Sequence, residues 1–411
     1  MRIRYLGIVL VLLALVLPAS PAHAGGVVTV CDEAHLLTAL EGGGTVTFDC
    51  SGTIALTAEI VVSANTTIDG SGQDVIISGE DMVPVLTVGT GVAVKVKRLI
   101  IANGHSDLYG GGIANEFGDL TIEDSAIVDN VSEFGGGIYN GGTMTVSSSS
   151  LIGNYAGIIG GGISSTGTAV VDHSTISDNY GLAGGGIDNA EGGTMIISNS
   201  TVSGNGARFV GGIHDGASSI VTILNSTVAD NWLVLGKGAS NISNDPLGTT
   251  ILKNTIVAIG VGGNCDGNIT NGGGNLSYPD ASCPGINADP VLGPLQNNGG
   301  PTWTMAIGPG SAAIDAAVDG TCAGVPVNNL DQRGVVRPQG LHCDIGAFEW
   351  VCPSFVPPAQ VGVEDIVAMA SLWGWTDVTP GWDPQFDLNL DSRIDILDIM
   401  LVTAAWGYTC S

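Results

Sequence analysis

The sequence predicts an all-β fold, a right-handed, single-stranded parallel β-helix, followed by a small α-helical C-terminal domain. Three observations lead there. A glycine-rich motif returns at a nearly constant interval, aliphatic and polar columns run in phase with it, and a loop–helix pattern bounded by its own pair of cysteines ends the chain.

The motif reads "GGGIAN" from Gly110, "GGGIYN" from Gly135, "GGGISS" from Gly160, "GGGIDN" from Gly184 and, more weakly, "VGGIHD" from Val210. Its closing isoleucines, Ile113, Ile138, Ile163, Ile187 and Ile213, mark a period of about 25 residues, the signature of a solenoid coil. After each of them follows a block of twelve residues, beginning at Asp119, Thr143, Thr168, Thr194 and Ile220, and these five blocks align. One aliphatic column is Ile122, Val146, Val171, Ile197 and Ile223, and a second is Ile127, Leu151, Ile176, Val202 and Val228. Between them runs a serine column, Ser125, Ser149, Ser174, Ser200 and Ser226, and after them an asparagine column, Asn130, Asn154, Asn179, Asn205 and Asn231.

Apolar and polar residues alternate within each block, as a half-buried strand requires. The alternation slips phase between the first aliphatic column and the serines, which marks a corner. Helical periodicity is absent, and Val, Ile and Thr favour extended structure. Each coil therefore reads as three short strands and three corners, with roughly ten coils between Ser51 and Leu295. Glycine triplets suit a corner where stacked backbones crowd, and identical asparagines can pass amide hydrogen bonds along the stack.

Charge narrows the partners. The 411 residues hold 39 Asp and Glu against 11 Lys and Arg, for a formal charge of -28. Such a surface excludes nucleic acid and anionic lipid as binding partners and favours metal cations. Residues 1–24 place Arg2 and Arg4 before an apolar run and end in Ala22-His23-Ala24, the pattern of a secretory signal whose apolar run is too short to span a bilayer. No later run is long enough for a membrane span. The mature protein is expected outside the cell or at its surface. There, eight cysteines read as four disulfides, with neighbours favoured, Cys31–Cys50, Cys265–Cys283, Cys322–Cys343 and Cys352–Cys410, among 105 arithmetically allowed pairings.

The repeat resembles the right-handed parallel β-helix proteins of the pectin-lyase-like superfamily from about Val27 to Leu295. The stretch from Gly310 to Trp350 is similar to the terminal motif of choice-of-anchor Q proteins at Ser311, Ala313, Ile314, Asp315, Asp331, Arg333, Gly334, Arg337, Pro338, Asp344, Gly346, Phe348 and Glu349. In that family the motif precedes varied surface-attachment tails. Here Arg333 and Arg337 among Asp315, Asp331, Asp344 and Glu349 read as a salt-bridged segment closing the open end of the solenoid. Domain boundaries follow: a signal over 1–24, the β-helix over 25–309, the closing segment over 310–350 and the tail over 351–411.

The tail carries the clearest chemistry. "DLNLDSRIDILD" sets Asp387, Asn389, Asp391, Asp395 and Asp398 at positions 1, 3, 5, 9 and 12 of a calcium loop, with the Arg393 carbonyl at position 7. Oxygen ligands at alternate loop positions converge on one hard cation, and an apolar helix follows. Ser392 stands where such loops usually have glycine, and position 12 is Asp in place of Glu. The tail resembles a dockerin, an EF-hand-like pair of loop–helix repeats, and the resemblance implies calcium and a cohesin partner. The first repeat keeps its helix and Asp365 but lacks the earlier ligands, so one Ca2+ is expected, not two.

On the solenoid, the outward column Asp129, Gly153, Asp178, Gly204 and Asp230 spaces its carboxylates two coils apart, about 10 Å, too far to share an ion. The paired aspartates, Gly-His-Gly and Arg-x-Lys of β-helix hydrolases are missing from the sequence. The stacking predicts one local cluster, Asp188 and His214 with Asp215 alongside and Arg208 nearby. Such a group is suited to acid–base work, though a solvated surface pair is the commoner outcome. The resulting expectation is a non-catalytic, surface-associated β-helix protein, an adhesin or scaffold, with a calcium-binding tail. The alternative is a polysaccharide-binding or polysaccharide-degrading protein, a lyase or glycoside hydrolase, with carbohydrate along the β-helix.

Overall fold

The computed structural model describes residues 25–190, 192–234, 238–357 and 359–410. The expected secretory signal lies outside them. Parallel strands form two eleven-stranded sheets, a nine-stranded sheet and a five-stranded sheet, which wrap one hydrophobic interior. We call these sheets 1, 2, 3 and 4. One coil runs Thr143–Ser147 in sheet 1, Ser150–Ile152 in sheet 2, Tyr155–Ile159 in sheet 4 and Ile163–Ser165 in sheet 3. The fourth short strand is a departure from the three expected per coil. It forms because the residues after the asparagine corner pair with their counterparts in the neighbouring coils, as Tyr155 does with Tyr180.

The aliphatic columns are the register of the sheets. Ile122, Val146, Val171, Ile197 and Ile223 are successive partners in sheet 1, and Ile127, Leu151, Ile176, Val202 and Val228 in sheet 2; all ten are fully buried. Ser149, Ser174, Ser200 and Ser226 each accept a hydrogen bond at Oγ from the backbone N–H of the serine one coil earlier, at 3.1–3.2 Å, and Ser125 accepts that of Leu99 at 3.3 Å. The asparagine ladder runs Asn130, Asn154, Asn179, Asn205, Asn231, each Nδ2 donating to the next Oδ1 at 2.9–3.0 Å, and then continues through Asn241 and Asn264. Every rung satisfies polar groups that would otherwise be buried unpaired.

The acidic column has a backbone cause. Asp129, Gly153, Asp178, Gly204 and Asp230 all lie in the left-handed region, where glycine and aspartate are tolerated. Aspartate and glycine alternate because the aspartate leans over the next coil: a Cβ on Gly153 would sit 2.2 Å from Asp129 Oδ1, and one on Gly204 2.8 Å from Asp178 Oδ1. The column is thus a corner device. Gly153→Ala is expected to destabilise the protein through both strain and clash, and Asp129→Gly in the same chain should restore part of the loss, as read by thermal unfolding of the two variants.

Helix α1 (Glu33–Leu40) covers the N-terminal end, burying Leu36 and Ala39 in the interior with Val28 and Val46. The last parallel strand is Ile286–Asn287, and the chain then makes an antiparallel pair, Leu292–Gln296 with Thr304–Ile307. This pair, the short helix α2 (Asp319–Ala323) and the segment to Trp350 do not close the open end. They lie against the outer face of sheet 2, where Met305, Ile307, Ala313, Ile345 and Phe348 share a second core with Ala229, Ile256, Ala258 and Leu276. The physical reason lies in the outward residues. Thr175, Thr201 and Thr227 are small enough to be covered, and they bond Trp303 O, Gln332 Oε1 and the Ala347 N–H. The tail packs helices α3 (Val363–Ala370) and α4 (Ile396–Ala404) around a third small core. All four nearest-neighbour disulfides are present. No helix among the described residues is long and apolar enough to cross a membrane.

Candidate functional site

In the tail loop, Asp387 accepts the N–H groups of Asp391 at 3.1 Å and Ser392 at 2.9 Å, and Asp391 accepts that of Arg393 at 2.9 Å. Asn389 Nδ2 donates to Asp391 Oδ2 at 3.0 Å. Asp395 caps helix α4 through the Leu397 N–H, and Asp398 accepts the N–H groups of Asp395 and Leu388 at 2.8 Å. The loop thus folds around its own carboxylates. Burial raises the Asp387 and Asp398 pKa values above the ordinary range, and repulsion from Asp391 adds to it in both. Arg393 forms no ion pair among the described residues, so no salt bridge there ties up a loop carboxylate. Hard oxygen donors in a loop of four aspartates and one arginine fit a calcium ion. The side chains are not drawn up into a finished cage: no group of three or more His, Cys, Asp or Glu suited to a metal is found among the described residues.

The first repeat explains part of this. Asp365 accepts the N–H groups of Phe355, Val356 and Gly362, the same bonds that Asp398 makes one repeat later. Both aspartates sit at the third position of their helices and close their loops through the backbone. The constant offset extends to Gly374 and Gly407, both left-handed, and to Trp373 and Trp406. The two loops thus share one backbone closure, and only the second has further carboxylates at the alternate positions that ligate calcium.

On sheet 3, Asp188, His214 and Ser243 are consecutive register partners. His214 Nδ1 lies 2.7 Å from Asp188 Oδ1, and His214 Nε2 lies 3.5 Å from Asp245 Oδ1. Burial raises the pKa of Asp188, opposed by the hydrogen bond from His214. For His214 burial acts downward, but the bond and charge of Asp188, with Asp245, outweigh it and raise its pKa. The other two expected members are elsewhere. Asp215 turns inward, where Asn189, Ser219 and Thr250 all donate to it, because odd and even residues of a strand face opposite sides. Arg208 is exposed, with its guanidinium 5.4 Å from the Phe209 ring. Asp245 and Ser243 were missed because the coil after Ile213 carries an insertion, so that "NISND" falls out of the repeat's phase.

The closing segment holds the densest charge. Arg337 is fully buried and donates to the carbonyls of Leu330, Asp344 and Gly346, with Glu349 Oε2 at 3.3 Å. Arg333 makes two bonds to Asp331 Oδ2 and lies 3.5 Å over the Phe348 ring. Both arginines are spent on structure. Burial, with repulsion from Glu349, pushes Asp344 up to about 7 although Asp315 and Trp350 donate to it. The folded state then holds a proton that the unfolded chain, at the ordinary 3.8, has lost, so stability should fall as pH rises through that interval. Denaturant unfolding at pH 5 and pH 7.5 checks this, and Asp344→Asn should flatten the difference.

No protein-family model matches the chain, and no curated protein matches it. A solved structure of a pectate lyase aligns with 80% of this chain and 100% of its own at 14% identity, with a TM-score of 0.43. At that level of likeness the fold rests on the strand pairing described above.

Proposed function

We propose that the chain is an extracellular β-solenoid held to a surface or partner protein through its C-terminal tail, and that the tail's second loop binds one calcium ion. The observation that carries this reading is the pair of matched apolar faces on the tail helices. Val363, Val367 and Trp373 are 54%, 63% and 54% exposed; their counterparts Ile396, Met400 and Trp406 are 52%, 58% and 58% exposed. Large apolar side chains left bare twice at equivalent positions in so small a unit support the reading of a docking surface. The dockerin resemblance supplies a cohesin-like protein as the candidate partner, and Asp387, Asn389, Asp391, Asp395, Asp398 and the Arg393 carbonyl would supply the calcium oxygens.

Calcium titration of the full-length protein tests the reading. One site is expected, with Asp391→Ala weakening it. Two sites would mean that the first loop also binds, and none would leave the tail a disulfide-clasped helical pair. A second reading, carbohydrate along the solenoid, is favoured by an aromatic row on sheet 4, in which exposed Tyr155 stacks on half-buried Tyr180 at 5.5 Å and exposed Trp232 follows at 6.0 Å. Trp232 reaches across Gly206, whose Cβ would overlap the indole. Affinity electrophoresis on pectin, alginate and neutral plant polysaccharides would show retardation that Trp232→Ala reduces; equal migration of the two proteins would dismiss it.

A further inference from the structure

We propose that Asp188, His214 and Ser243 form an ester-hydrolysing site on the outer face of sheet 3. The inference does not rest on the tail. It begins with an anomaly in a ladder of otherwise neutral residues, Ala114, Tyr139 and Ser164 in the preceding coils. Asp188 is 1% exposed and its Oδ2 has no hydrogen-bond partner. A buried carboxylate so poorly satisfied is costly and contributes nothing to the stack that serine would not. What it does do is orient the imidazole: its other oxygen lies 2.7 Å from His214 Nδ1, and in the tautomer with the proton on Nδ1 the basic nitrogen is Nε2.

His214 Nε2 lies 3.5 Å from Asp245, and Asp245 lines a cavity of about 700 Å3 together with Ser243, Thr249, Asp266 and Asn268. Ser243 stands on the next rung after His214, and its hydroxyl has no hydrogen-bond partner among the described residues. Orienting carboxylate, base and hydroxyl thus follow one another on three successive coils, with the hydroxyl opening into a polar cavity. The sequence of roles matches nucleophilic acyl transfer, although no hydrogen bond joins Ser243 to His214 in this structure; attack requires the hydroxyl to turn from the cavity toward Nε2.

In the reaction, Ser243 Oγ bonds to the acyl carbon while its proton passes to His214 Nε2. The alcohol then leaves with that proton. Water attacks the acyl-serine, gives a proton back through Nε2, and releases the acid. Asp188 and Asp245 flank the imidazolium and stabilise it. The carboxylates of Asp245 and Asp266 disfavour anionic esters, while Thr249 and Asn268 offer neutral hydrogen-bonding groups. The substrate class is therefore a neutral acyl ester of a sugar or other polyol.

Hydrolysis of p-nitrophenyl acetate by the full-length protein, with fluorophosphonate labelling read by peptide mass spectrometry, tests the proposal. We expect turnover above background, one adduct on Ser243, and a loss of about 100-fold or more in Ser243→Ala and His214→Gln. Ser243→Ala removes a hydroxyl that makes no bond, so the fold should persist, as circular dichroism would show. Asp188 is a positioning residue; Asp188→Asn should lower the pH at which the rate reaches half its maximum, because a carboxylate that raises the histidine is gone. Turnover no greater than that of Ser243→Ala, or a chain that takes no label, would overturn the site. Full activity in Ser243→Ala with loss in His214→Gln would overturn the serine's role.

Discussion

Ile176→Asp is expected to abolish the folded solenoid. Ile176 is fully buried between Leu151 of the preceding coil and Val202 of the next. A carboxylate there has no partner within the aliphatic column, and burying it costs several kcal/mol whether it ionises or takes up a proton. The apolar contacts of the side chain are lost as well, for roughly 2–5 kcal/mol more. Because each coil is held mainly by its neighbours, the damage should spread along the stack. Circular dichroism of purified protein reads the result, with loss of the strand signal or a collapse in melting temperature expected. A variant that melts like the parent would mean that Ile176 does not face inward.

The second large effect is expected at Arg337. Replacing it with Met should destabilise the protein by about 3–5 kcal/mol, because breaking a buried ion pair leaves an uncompensated charge. Here the orphan would be Glu349, 1% exposed at its side chain, and three carbonyls would lose their donor. The paired change Arg337→Met with Glu349→Leu should recover part of the loss, since no charge is then stranded. Denaturant unfolding of the single and double variants measures both. Equal stability of Arg337→Met and the parent would remove the closing segment's charge network from the account of what holds it.

The solenoid was legible because its stacking is written as repetition. Asn154 and Asn179 recur in phase because each must face its own copy, and a ladder with that constraint leaves a visible column. Where repetition stops, so does legibility. The strands of sheet 4 pair through backbone groups with varied side chains, Val131, Tyr155, Tyr180, Gly206 and Trp232, and left no column to see. A further ladder from Asn115 through Asn140 to Ser165 was printed in the motif itself, yet its inward direction emerges only with the strand's placement. The side-on packing of the closing segment depended on what covers Thr175, Thr201 and Thr227, and an outward threonine looks the same in sequence whether wet or covered. Asp188 and His214 could be brought together by counting rungs. Asp215 could not be assigned its inward direction without fixing strand phase at that residue, and Ser243 lay beyond an insertion that broke the count.

The proposed reading is modular: a solenoid held by in-register ladders, and a tail whose second loop we propose calcium completes. Differential scanning calorimetry of the full-length protein, with calcium and then with a chelator, tests it most directly. The account predicts two transitions, of which the smaller moves to lower temperature on chelation while the larger stays in place, because an ion that binds only the native tail stabilises only that unit. A single transition that shifts as a whole, or two that ignore the chelator, would contradict it.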